Sequence, residues 1–338
     1  MENSRRHIYS FDLIRILAIV MILFNHTKQY GFELYTVTDS SVSALLSMAL
    51  AFLCKAGVPL FLMVSGALLL GKEESVSGLL KHRVRDFAVI FAVMFFLQYA
   101  RVWHAGGYEE LSLRGYIQCL LYDDPITPYW FLRSYLLYLL TLPFLRFIAL
   151  KLDRQWFRYL LCLQAVIVLL QLVQDLTGTP SSISFFTADA FVFYPLAGYY
   201  LFHHGQNLQK QRSLWLLCLC SSVILSVVTG IFLRRAGHPE ISFALVPAAA
   251  VSLFLLICGM DITRGTALLK ELGSSTFGIY LIEDIVRNRL EGMITPLSGV
   301  IGAIPAVLCF VLAVFAVSAL AVGIGKRIPG IRYFLHAG

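Results

Sequence analysis

Stretches of about twenty mostly apolar residues recur along the chain, each long enough to cross the hydrocarbon core of a bilayer as a helix. Ten such candidates lie near 11–31, 43–70, 86–104, 127–149, 158–176, 187–203, 213–233, 241–260, 274–290 and 298–325. In hydrocarbon the backbone has no water to bond, so segments of this length satisfy their own polar groups by coiling into helices. Composition points the same way. Of 338 residues, 58% are hydrophobic and 14% charged, against about 25% charged in a soluble domain. Too little polar surface remains to cover such a core in water. The expected fold is all-α: a polytopic integral membrane protein with about ten transmembrane helices. It forms a single domain over 1–338, without a soluble domain.

The second run is over-long and interrupted by Lys55, Gly57 and Pro59, which predicts a tilted or broken helix. The run at 274–290 is short. Segment 105–126, with Glu109, Glu110, Asp123 and Asp124, reads as an outer loop holding an interfacial helix. Lys and Arg sort strongly between alternate loops. Sixteen, from Arg5 and Arg6 to Arg327 and Arg332, fall on the amino-terminal side, against Arg114, Arg234, Arg235 and Arg289 on the other. By the positive-inside rule both termini are cytoplasmic.

The net charge of +7 sits in short loops, where it reports orientation and contact with anionic membrane lipid. No basic and aromatic run suggests nucleic acid as a partner. The seven cysteines, most of them inside apolar runs, have neither zinc nor disulfide spacing. His203 and His204 are adjacent and point different ways on a helix, so no metal site is expected. The first apolar run is long and lacks a small-residue cleavage site after it, and so reads as a retained first helix.

Ionisable side chains within a span are costly and mark candidate sites. The first run, FDLIRILAIVMILFNHTKQY, carries Asp12, Arg15 and His26. Asp12 and Arg15 lie three apart and share a face. Arg15 and His26 lie eleven apart; at about 100° per residue this closes to within about 20° of three turns, about 16 Å along one stripe. A cation near the cytoplasm and an imidazole deep in the membrane would then face one cleft, a length that suits a pantetheine arm. An interfacial Asp12–Arg15 ion pair and a packing His26 are the plainer alternatives. The run KHRVRDF places Arg83 and Arg85 at a helix start, where donors and the helix dipole favour phosphate. The same residues also serve as membrane anchors.

Arg15 followed after ten residues by His26 resembles the signature of the membrane acyltransferase family 3. Further segments are similar to that family's pattern in the same order: VPLFLMVSGALLL (58–70), Arg83-Val84-Arg85, YWFLRSYLLYL (129–139), FVFYPLAGYYL (191–201) and SSTFGIYLIEDIV (274–286). The resemblance implies a ten-helix enzyme of the bacterial cytoplasmic membrane. Such an enzyme moves an acyl group, acetyl by family habit, from cytosolic acyl-CoA to a hydroxyl of an extracytoplasmic or lipid-linked saccharide. No tightly bound cofactor is implied, with acetyl-CoA acting as donor substrate. By the same carry-over His26 is catalytic, Arg15, Arg83 and Arg85 hold the CoA phosphates, and Asp12 orients Arg15. The chain resembles the stand-alone form that lacks a C-terminal esterase-like domain.

The chain departs from the family where Glu283, followed by Asp284, replaces a frequent histidine. A carboxylate there either orients an imidazole or pairs with Arg287. Trp130 and Arg133 are candidates for the cleft wall, with an interfacial anchor as the alternative for Trp130. His26 either takes the hydroxyl proton as a general base, a task that suits a neutral imidazole, or carries the acyl group transiently. His7 and Asp12 match the His-four-Asp pattern of glycerolipid acyltransferases, a match read as coincidence at a membrane entry point. The rival from another class is a secondary transporter or flippase for a lipid-linked sugar, disfavoured by the lack of repeat symmetry.

Overall fold

The computed structural model describes residues 7–38, 41–108, 110–121, 129–178, 189–235, 237 and 240–336. Among these the chain is all-helical, with no strand. The helices used below are α1 (Tyr9–Asn25), α2 (Ser41–Cys54), α3 (Gly57–Leu69), α4 (Arg85–His104), α5 (Leu113–Leu121) and α6 (Trp130–Lys151). They continue as α7 (Arg154–Thr177), α8 (Ala190–His203), α9 (Arg212–Arg235), α10 (Val246–Cys258), α11 (Thr266–Leu290) and α12 (Ala303–Gly325).

Each of the ten apolar runs contains a helix. Among the described residues, six helical stretches, two of them joined across a turn or a π-helical turn, are long and apolar enough to cross a membrane: Val42–Leu69, Val76–His104, α6, α7, α9 and α12. The others fall short for two different reasons. Helices α1, α8 and α10 have 17, 14 and 13 residues and pack inside the bundle, where protein rather than lipid surrounds them. Helix α11 spans 25 residues, so the run at 274–290 is longer than the sequence suggested. Lys270, Glu271, Glu283, Asp284 and Arg287 dilute its apolar character.

Local chemistry sets several boundaries. The Asp153 carboxylate caps α7 by accepting from the Gln155 and Trp156 N–H groups, and Gly178, at φ +67°, ends it. Asp189 caps α8 by accepting from the Phe191 N–H. The long second run breaks between Cys54 and Gly57, as its Lys, Gly and Pro suggested. Helix α5 is a short amphipathic segment between α4 and α6, where the interfacial helix was expected; Glu109, Asp123 and Asp124 of that loop lie outside the described residues.

Helices α3 and α8 pack most intimately. A Cβ at Gly66 would stand 2.0 Å from the Pro195 carbonyl oxygen, and one at Gly198 would stand 2.1 Å from that of Met63. Small residues here let two backbones nearly touch, the usual means of helix association inside membranes. Helix α1 lies against α3, α11 and α12 at the centre of the bundle.

Charged contacts then sort to opposite ends. At one end Lys326 Nζ donates to Glu271 Oε1 at 3.1 Å, and Arg212 donates to the Gly259 carbonyl at 2.5 Å. At the other, Arg234 donates to the Thr38 carbonyl at 2.9 Å, and the Ser242 hydroxyl to Asp175 at 2.6 Å.

Candidate active site

Helix α1 is unbroken from Tyr9 to Asn25, and His26 is its C-terminal cap. Arg15 lines a cleft of about 250 Å³ that opens at the end where α3 finishes and α4 begins. Lys72 and Arg83 join it at the mouth. Arg15 makes no side-chain hydrogen bond among the described residues, so its guanidinium stands ready for an external acceptor. Deeper, the wall turns aromatic through Phe61, Phe131, Tyr135 and Tyr280, with Ile22 from α1. The Ser65 and Tyr135 hydroxyls bond across it at 3.0 Å.

A second cavity, of about 210 Å³, contains His26, Lys28, Gln29, Tyr30, Arg287 and Glu291 among its lining residues. Here His26 Nδ1 lies 2.7 Å from Glu283 Oε1. An ionised carboxylate can only accept, so Nδ1 donates to it, and in the neutral imidazole this leaves Nε2 as the acceptor. Glu283 is 1% exposed, and burying an unpaired carboxylate is prohibitive. Its other oxygen faces Arg287 Nε at 3.7 Å. Arg287 also pairs closely with Asp284, which accepts from Arg101 Nη2 at 2.6 Å. Tyr280, Glu283 and Arg287 lie three and four apart on α11 and share its inward face. A chain of paired polar groups therefore runs from His26 through Glu283, Arg287 and Asp284 to Arg101. The alternatives left open for Glu283, holding an imidazole or pairing with Arg287, both occur.

The two cavities lie in line along the α1–α11 seam. Ile22 is the last α1 residue to line the first, and His26 follows four residues on, about 6 Å of helical rise. On α11, Tyr280 lines the first, and Glu283 holds His26 one turn later. Sequence suggested one continuous cleft. Rings of Tyr280, Phe131 and Tyr129 pack together at this level and narrow the seam, with Tyr280 centroids 5.7 and 6.4 Å from those of Phe131 and Tyr129.

The remaining candidates divide. Arg85 does not line the cleft; its side chain is 62% exposed and pairs with Asp86 at 2.7 Å. Two residues along a helix turn a side chain far around the axis, so Arg83 and Arg85 cannot both face one groove. Asp12 is buried and hydrogen-bonded to His7 rather than to Arg15. The His7–Asp12 pair is thus real, but it lies at the start of α1, away from His26. Trp130 is 47% exposed, and neither it nor Arg133 lines the cleft; Phe131 and Tyr135 from the same helix do. Lys72, Glu74 and Arg146 were missed. The first read only as an orientation charge, whereas Arg146 was detectable as a charge within an apolar run. No group of three or more His, Cys, Asp or Glu side chains suited to a metal occurs among the described residues.

The fold defines a helical integral membrane protein, with a cationic cleft and a part-buried histidine paired with a buried carboxylate on one seam. Residues 8–323 match the family model described as an acyltransferase domain, acyltransferase family 3, and the chain belongs to that family. Comparisons with curated proteins and with solved structures found no match.

Proposed function

We propose that this acyltransferase moves an acetyl group from cytosolic acetyl-CoA to a hydroxyl of an extracytoplasmic or lipid-linked saccharide. The observation that carries the reading is the 2.7 Å contact between His26 Nδ1 and Glu283 Oε1, one helical turn beyond a cleft with a cationic mouth. The Arg15, Lys72 and Arg83 cations at that mouth suit the CoA phosphates, and the narrow aromatic interior suits the pantetheine arm. The second cavity, whose lining includes Gln29, Tyr30 and Glu291, suits a polyhydroxylated acceptor. Both termini then lie in the cytoplasm, and ten helices cross the bilayer, with the short central ones surrounded by longer neighbours.

In this mechanism His26 acts as the general base. Its Nδ1–H is held by Glu283, so Nε2 accepts the proton of the acceptor hydroxyl as the oxygen attacks the thioester carbonyl. Glu283 stabilises the imidazolium that forms. Collapse of the tetrahedral intermediate breaks the C–S bond, and the proton passes from imidazolium to the departing thiolate. The products are an ester and free CoA. The same Nε2 lone pair would also serve a histidine that carries the acyl group transiently.

Purified protein is expected to bind acetyl-CoA, and membranes containing it to move label from acetyl-CoA into the saccharide fraction. His26→Ala is expected to abolish labelling while keeping acetyl-CoA affinity. Labelling that survives His26→Ala, or wild-type protein that binds no acetyl-CoA, would overturn the proposal.

A further inference from the structure

The loop from Leu70 to Ser75 joins α3 to the helical stretch that carries Arg83. In it, Glu74 meets two guanidinium groups. Arg83 donates from Nε to both carboxylate oxygens, at 3.1 and 3.3 Å. Arg146 on α6 donates from Nη2 to Oε2 at 3.0 Å. Arg146 is itself buried and anchored, its Nε donating to the Leu69 carbonyl at 3.0 Å. These contacts form a bracket: the α3 carboxyl end fixes Arg146, Arg146 fixes Glu74, and Glu74 fixes Arg83. Arg83 is also carried by a single π-helical turn, Leu80–Val84, a distortion often found where a helix must present a side chain.

We infer that Glu74 is a positioning residue for the donor's phosphates, orienting Arg83 so that its two amino groups face the cleft. This rests on the acyl-CoA reading of the cleft given above. Glu74 occupies only the Nε edge of Arg83, and neither Arg83 amino group donates a hydrogen bond among the described residues. That terminal edge is a fork matched to phosphate oxygens. One carboxylate also stands against two guanidinium groups, so the bracket keeps a net positive charge beside Arg15 and Lys72 and attracts anions rather than cancelling them. Partial burial alone would raise the Glu74 carboxyl; hydrogen bonds and charge from Arg146 and Arg83 outweigh it and hold the group below the usual carboxylate range. It is therefore ionised wherever the enzyme works.

The test is a double-mutant cycle on acetyl-CoA affinity with detergent-purified full-length protein, monodisperse in every variant. Arg83→Ala is expected to weaken binding roughly tenfold, in line with loss of one charge-assisted contact. Glu74→Gln is expected to weaken it several-fold on the same principle, raising KM for acetyl-CoA without lowering kcat. The decisive result is the pair: adding Glu74→Gln to Arg83→Ala should cost nothing more, because Glu74 acts through Arg83. Should Glu74→Gln fail to fold, Glu74→Asp serves, since it keeps the charge but shortens the reach. Independent, multiplying effects would overturn the inference, as would tighter binding in Glu74→Gln, which would make Glu74 a competitor of the phosphates. If Arg83→Ala leaves affinity unchanged, the acyl-CoA reading of the cleft falls as well.

Discussion

At the scale of single residues, the proposed chemistry rests on which nitrogen of His26 bears the proton. Glu283→Gln keeps the shape but supplies an amide that can bond either nitrogen, so the tautomer is no longer fixed. Turnover is expected to fall by roughly 10²–10⁴-fold with acetyl-CoA affinity unchanged, by analogy with orienting carboxylates in other histidine enzymes. A drop below threefold would show that Glu283 serves Arg287 alone. Glu74 offers a second readout at this scale. Its carboxyl is held below the ordinary range, so its stabilising contribution is complete above about pH 4.3, the usual unfolded value. It is lost as pH falls through the lowered value. Thermal stability of the wild type should fall across that acidic window more steeply than that of Glu74→Gln. The Arg15–His26 relation was legible in sequence because one unbroken helix fixes it. The partner of His26 was not, because Glu283 lies 257 residues away and only packing of α11 on α1 brings it near. That Arg85 lies outside the cleft lining was not legible for a related reason: a charge pattern at a helix start does not reveal which member faces the groove.

At the scale of elements, the caps at Asp153, Gly178 and Asp189 that set ends of α7 and α8 went unread in sequence, and apolar length alone located the helices. It gave neither the partners nor the depth of contact. The α3–α8 crossing depends on Gly66 and Gly198, residues that read in sequence only as parts of apolar runs. Gly198→Val would drive a branched side chain into the Met63 backbone. Overpacking of this kind costs roughly 1–3 kcal/mol, and the close backbone approach leaves little room for relief. The expected result is a lower melting temperature and poor recovery from detergent, whereas Gly299→Ala, with open space around it, should behave as wild type. Equal behaviour of the two variants would mean that the crossing is looser than described. Helix α11 carries the opposite lesson. Its charges disguised its length, and those same charges are what the molecule uses to hold His26.

At the scale of the whole molecule, the Lys and Arg asymmetry between loops becomes a sorting of contacts to two ends, with the cationic cleft at one and the second cavity at the other. Under the proposed orientation, a thiol introduced by Gln29→Cys reacts with a membrane-impermeant reagent added to intact cells. One introduced by Lys72→Cys reacts only after the membrane is opened. The reverse pattern would invert the protein and separate the cleft from its cytosolic donor.

The ring packing of Tyr280 with Phe131 and Tyr129, one turn from Glu283, bears on energy conservation in the cell that houses the enzyme. A continuous hydrated bore from cytosol to exterior would let protons run down their gradient. In the proposed reaction, a passage kept narrow by Tyr280, Phe131 and Tyr129 would admit the thioester end of the donor to His26 and still hinder ion flow. Liposomes containing the wild-type protein are therefore expected to hold a pH difference, and Tyr280→Gly to dissipate it.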